Sequence, residues 1–233
     1  MASRLARALA GLKSAAAAGA GLALLPEEFA GAGGPFDGFP NDSVTRALGA
    51  VAVQHRMYVA FGVRLPATEA DNATFSDLGN LGFNTAVILD RETGEPVARY
   101  RKQFPCCVDP SGNVGADGYP SREGTPAWDL PGIGRVAVLT CYDANFEQAW
   151  QGAYAQRADL VLWPSAYGGG LALRSYAALY HYHIVPNGWG DVRGLTGDVV
   201  PSLRQVRIFF FLACARVSSR GDLSFILFFP SDG

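Results

Sequence analysis

The chain is short of charge, and no stretch of it is strongly basic. Charged residues make up 17% of the sequence and the formal net charge is −2. The electrostatic footprint of a nucleic-acid binder is therefore missing, and no nucleic-acid partner is expected. Cysteine is sparse: Cys106, Cys107, Cys141 and Cys214 are the whole set. Two of them are adjacent, no CxxC spacing occurs, and His55, His181 and His183 do not stand near them at ligand spacing. This argues against a disulfide framework and against a zinc site. No apolar run reaches the ~18 residues of a membrane helix, so no membrane partner is expected. The longest runs are Ile208 to Ala215 and Leu223 to Phe229. No acid precedes Glu27 either, and the N-terminus carries Arg4, Arg7 and Lys13 among many alanines. That composition suits an organelle transit peptide. It equally suits an amphipathic helix with Leu5, Leu9, Leu12 and Ala16 on one face. The helix is preferred because a candidate site residue follows it closely, and the expected location is then cytoplasmic.

What is present is a large apolar fraction, 49% over 233 residues. That is enough for one well-filled domain, or for an incomplete larger one. Periodicity predicts helices over 2–18, 43–56 (with Ser43 as N-cap), 146–156 and 171–182. Strands are predicted over 21–25, 57–65, 83–89, 96–101, 128–130, 135–141, 158–163 and 183–186. Residues 66–80 and the Pro- and Gly-rich 103–128 read as loops, and a loop of the second length is usually functional. Strand and helix alternate, which predicts a layered α/β fold with helices outside.

Three predicted strand ends carry chemistry. VAVLTCYDANF ends an apolar run at Cys141, GLALLPEEF ends at Glu27 and Glu28, and PVARYRK delivers Lys102. Taken singly, each has an ordinary reading. A cysteine at a strand end is usually a packing residue, and acids in a loop are usually solvated. Together they supply a nucleophile, a carboxylate that can take its proton, and an ammonium that can meet negative charge on a carbonyl oxygen. The backbone N–H of Tyr142 directly follows the nucleophile and is a second oxyanion donor candidate.

LLPEEF, YRKQFP and LTCYDANF, in this order and with WPSAYGG beyond them, resemble the Glu, Lys and Cys motifs of the nitrilase-like carbon–nitrogen hydrolases. The resemblance covers residues 2 to about 200. It implies an α-β-β-α sandwich and a thioester mechanism without metal or cofactor. The implied activity is hydrolysis of a small linear amide, less often a nitrile, with homo-oligomeric assembly. It implies Glu27 as general base, Lys102 as oxyanion donor and Cys141 as nucleophile. It also implies a second carboxylate between Lys and Cys. Glu123 is the first candidate, and Asp109, nearer to Lys102, is the alternative. Glu123 otherwise reads as a surface partner of Arg122. By position, Tyr167 is expected in the substrate pocket.

The chain departs from the family pattern at both ends. It opens at the helix that a first strand normally precedes, and residues 201–233 do not match the remaining strands. The expected organisation is therefore a hydrolase domain over 1–200, lacking its first strand, and an atypical tail over 201–233. That tail is either a strand pair or the product of a misread gene. An acyltransferase using the same thioester, and an inactive relative serving as a binding or assembly subunit, stand as the alternative functions.

Overall fold

The computed structural model describes residues 2–30, 36–74, 82–106, 117–166, 169–187, 212–217 and 223–228. Its helices are α1 (Ala2–Ala17), α2 (Ser43–His55), α3 (Glu69–Thr74), α4 (Glu147–Ala155) and α5 (Gly170–Tyr180). Its strands are β1 (Leu22–Leu24), β2 (Tyr58–Leu65), β3 (Phe83–Leu89), β4 (Pro96–Arg101), β5 (Ala127–Leu130), β6 (Gly134–Val138), β7 (Leu160–Pro164), β8 (His183–Asn187), β9 (Leu212–Val217) and β10 (Leu223–Phe228). Two sheets form, in the orders β10-β9-β1-β2-β3-β4 and β5-β6-β7-β8. β1 runs parallel to β2, and β2, β3 and β4 are successively antiparallel. In the second sheet β6, β7 and β8 are parallel and β5 is the antiparallel edge.

Period-two alternation along the first sheet explains the layering. Leu22, Leu24, Tyr58, Ala60, Ala86, Ile88, Ala98 and Tyr100 share one buried cluster with Val136, Val138, Leu160, Leu162 and Ile184 of the second sheet. Their neighbours Ala23, Leu25, Val59, Phe61, Val63, Val87 and Leu89 face the other way and pack with Leu12 of α1 and Leu48 and Val51 of α2. On the far side of the second sheet, Ala149, Trp150 and Ala153 of α4 and Leu173 and Ala177 of α5 close the core. The result is the α-β-β-α sandwich. Helix α1 lays Leu5, Leu9 and Ala16 beside Leu12 on the first sheet, the face its sequence period indicates.

Several boundaries differ from the sequence pattern for local physical reasons. The N-cap of α2 is Asp42, not Ser43: Asp42 is extended, and its carboxylate accepts from the Thr45 N–H at 2.7 Å. The 66–80 loop contains α3, started by Thr68 and Asp71, each accepting the other's backbone N–H. β6 stops at Val138 instead of running to Cys141. The Thr140 N–H turns to the Asp143 carboxylate at 2.8 Å, and Cys141 adopts φ +49°, which no strand accommodates. A 3₁₀ turn, Cys141–Asn145, follows. Within 201–233, β9 pairs antiparallel with β1 and β10 with β9.

The exit of β1 depends on a missing side chain in β2. A Cβ on Gly62 would lie 2.3 Å from the Glu28 backbone N and 2.8 Å from the Glu27 Cα. The Gly62 N–H donates to Pro26 O at 3.1 Å, so the two backbones are bonded in contact. We predict that Gly62→Ala destabilises the fold by about 1–3 kcal/mol through this overlap. Urea unfolding checks it; an unchanged midpoint would show that the Glu27 backbone is free to move away.

Candidate active site

Glu27 sits two residues past the Leu25 N–H, which donates to Ala60 O at 2.8 Å and prolongs the β1–β2 pairing. Its side chain is only 8% exposed. Oε1 accepts from Lys102 Nζ at 2.9 Å and from Asn84 Nδ2 at 2.9 Å, and Oε2 accepts from the Ala166 N–H at 3.0 Å. Three donors on one carboxylate offset the cost of burying it.

Lys102 follows β4 directly and is fully buried. Its N–H bonds to Asn84 O at 2.9 Å, which locks its backbone to β3. Its ammonium donates to Glu27 and, at 2.6 Å, to Asp117 Oδ2. Asp117 also accepts from Asn84 Nδ2 at 2.8 Å and from the Cys106 N–H at 2.7 Å. Burial works against the charge of Lys102. The charges of Glu27 and Asp117 outweigh burial and hold its pKa above the ordinary lysine value.

Cys141 opens the 3₁₀ turn and is 8% exposed. The Trp163 indole N–H donates to its carbonyl at 3.1 Å, which anchors the positive-φ backbone to β7. The Glu27 carboxylate, the Lys102 ammonium and the Ala166 N–H all lie close to the sulfur. Burial, then the negative charge of Glu27, push the thiol up to about 12, against the pull of Lys102. The resting sulfur is therefore a protonated thiol beside a carboxylate, not a preformed thiolate.

Glu27, Lys102 and Cys141 thus meet in one place. Glu123 does not join them. Its carboxylate lies 3.4 Å from the Arg101 guanidinium and is 55% exposed, so it is a surface partner, but of Arg101 and not Arg122. Among the described residues, the second carboxylate that meets Lys102, after Glu27, is Asp117, which sequence reasoning missed. The Pro- and Gly-rich stretch around it gives no register from which a contact could be counted. Asn84 was missed too, although a signal existed: it is the one amide in the buried apolar strand FNTAVIL. Tyr142 is 39% exposed, with its ring edge-on to Phe146 at 5.6 Å. Asp109 and Tyr167 lie outside the described residues.

A sequence profile described as carbon–nitrogen hydrolase matches residues 2–221. The chain belongs to the carbon–nitrogen hydrolase family. No curated protein matches the chain by sequence. Among solved structures, a cysteine-to-alanine variant of the Nesterenkonia sp. AN1 amidase, of the nitrilase superfamily, is similar in fold. It shares 21% identity and a TM-score of 0.69 over 90% of this chain and 83% of that one. The same variant in complex with butyramide matches at 21% identity and TM-score 0.66, over 85% and 79%. A glutamate-to-glutamine variant shows Michael addition of acrylamide at its active-site cysteine. It matches at 21% identity and TM-score 0.65, over 85% and 81%. Among the described residues of the present chain, no helix is long and apolar enough to cross a membrane.

Two outcomes test the electrostatics of this cluster. Glu27→Gln removes the anion beside Cys141, so the thiol should titrate at lower pH than in the unaltered protein. Thiolate absorbance against pH measures this, and a titration that moves upward would contradict it. Lys102→Met leaves Glu27 and Asp117 buried together without their shared cation. The expected loss is about 3–5 kcal/mol of stability by denaturant unfolding.

Proposed function

We propose that the protein hydrolyses small aliphatic amides through a thioester on Cys141. The observation that carries this reading is the Glu27 carboxylate, which accepts from the Lys102 ammonium at 2.9 Å and lies close enough to Cys141 for its charge to raise the thiol's pKa. One carboxylate so placed can take a proton from sulfur and later return it.

In the first half-reaction the sulfur attacks the amide carbon while Glu27 accepts the thiol proton. The carbonyl oxygen becomes anionic. Lys102 has three ammonium protons, and two are committed to Glu27 and Asp117. The third, with the Tyr142 backbone N–H, meets the oxyanion. Protonated Glu27 then gives its proton to the departing nitrogen, the C–N bond breaks, and ammonia or amine leaves a thioester. In the second half, Glu27 takes a proton from water as its oxygen attacks the thioester carbon. The C–S bond breaks, the acid leaves, and the sulfur recovers its proton. Asp117 and Asn84 keep Lys102 and Glu27 in register throughout. The acyl groups of the amides seen with the Nesterenkonia amidase, acrylamide and butyramide, set the size range to try first.

The expected result is ammonia release from acetamide, acrylamide or butyramide, with an acyl adduct on Cys141 detected by mass spectrometry. Cys141→Ala should fold normally and lose at least about 10³-fold in kcat/KM, the scale for removing a nucleophile. Folded protein that releases no ammonia and carries no adduct from any of these amides would favour a binding or assembly role. Acyl transfer to added hydroxylamine in preference to water would favour the acyltransferase.

A further inference from the structure

Near the nucleophile lies a third buried carboxylate, which the chemistry above does not use. Asp143 has no exposed surface. It stands two residues past Cys141 within the 3₁₀ turn. Its Oδ2 accepts from the Thr140 N–H at 2.8 Å and the Tyr100 hydroxyl at 2.7 Å, and its Oδ1 accepts from the Phe104 N–H at 2.8 Å. These donors come from different parts of the fold. Thr140 immediately precedes the nucleophile after β6. Tyr100 is on β4 of the other sheet, two residues before Lys102. Phe104 is two residues after Lys102. One carboxylate thus ties both flanks of the lysine to the turn that carries the sulfur.

The direction of each proton is fixed by a chain of donors. Gln103 Nε2 donates to the Tyr100 oxygen at 3.1 Å and to Thr125 Oγ1 at 2.8 Å. Thr125 in turn donates to Ala149 O of α4 at 2.9 Å. With Gln103 donating to it, the phenol has its own proton for Asp143. Burial and the neighbouring Asp143 hold that phenol well above the ordinary value, so it stays a donor. The chain runs from α4 to the carboxylate with every proton assigned, and such polarised networks stiffen what they join. α4 can approach Thr125 because position 152 is glycine: a Cβ there would lie 2.9 Å from the threonine side chain.

We propose that Asp143 is a positioning residue that sets the separation of Cys141 from Lys102 by clamping the nucleophile turn of one sheet to the lysine strand of the other. Only an ionised carboxylate satisfies all three donors. Burial raises Asp143 to about 6, and the N–H of Thr140, the Tyr100 hydroxyl, the N–H of Phe104 and the charge of Lys102 oppose that rise, so it remains ionised at neutral pH. An amide in its place would turn an NH₂ toward either Phe104 N–H or Thr140 N–H, donor against donor. The turn would then shift, and the sulfur would leave the reach of Glu27. This role rests on the amide-hydrolysis reading for its catalytic consequence, but the geometry it predicts does not.

The test uses full-length Asp143→Asn and Tyr100→Phe with two readouts. The first is the rate of Cys141 alkylation by iodoacetamide, followed by peptide mass mapping so that Cys106, Cys107 and Cys214 are counted apart. The second is kcat and KM on an amide that the unaltered protein hydrolyses. Folded Asp143→Asn should lose on the order of tenfold or more in both alkylation rate and kcat, with KM changed far less, because misplacing a reacting group costs rate. Tyr100→Phe removes one donor of three and should show a smaller loss in the same two quantities. If Asp143→Asn folds with alkylation and kcat within about twofold of the unaltered protein, the proposal is overturned. If Asp143→Asn does not fold, Tyr100→Phe decides: reduced alkylation supports the clamp, and unchanged alkylation overturns it. Should the unaltered protein hydrolyse no amide, the functional reading fails while the alkylation comparison still judges Asp143.

Discussion

The Lys102 ammonium, held between the Glu27 and Asp117 carboxylates, is the interaction on which the rest of the site depends. All three groups are nearly or fully buried, and a buried charge without a partner is costly. The arrangement closes because Asn84 donates to both carboxylates from the neighbouring strand. Two anions and one cation leave the cluster with excess negative charge beside Cys141. Burial and, after it, the charge of Glu27 keep the resting thiol protonated and make Glu27 its natural proton acceptor.

The fold supplies this cluster by bringing three chain segments to one end of the sandwich. β1 releases Glu27 along the backbone of Gly62, β4 delivers Lys102 beside Asn84 of β3, and β6 hands over to a turn headed by Cys141. The two sheets are fastened at the same end by side chains as well as by the apolar core. The Asn187 amide at the end of β8 donates to Leu24 O of β1, and Ser165 N–H pairs with Asn187 O at 2.8 Å. Ala166, next along, gives its N–H to Glu27. The end of β7 and the loop after it therefore fix the base and the backbone of the nucleophile.

Much of this was legible in the sequence because period-two and period-3.6 patterns report burial, and burial builds the sandwich. The strand over 83–89 and the core-facing side of α1 follow from those patterns alone. Glu27, Lys102 and Cys141 stood out because each follows a predicted strand, in three motifs that resemble those of a known family. Asp117 did not, since it lies in an irregular segment where position along the chain says little about position in space. Glu123 is an acid of the expected type in the expected stretch, yet it faces Arg101 at the surface. The early end of β6 was hidden for a related reason. Thr140 and Cys141 continue an apolar pattern, and only the reach of Asp143 back to the Thr140 N–H breaks the strand.

The central claim is that Glu27 and Lys102 act as one unit on Cys141. A double-mutant cycle on amide turnover measures it most directly, comparing kcat/KM for Glu27→Gln, Lys102→Met and the pair together. Groups that act as a unit lose nearly all their effect at the first removal. The account predicts that the double variant is little worse than the poorer single variant. Losses that add in free energy would show two independent contributions and contradict it.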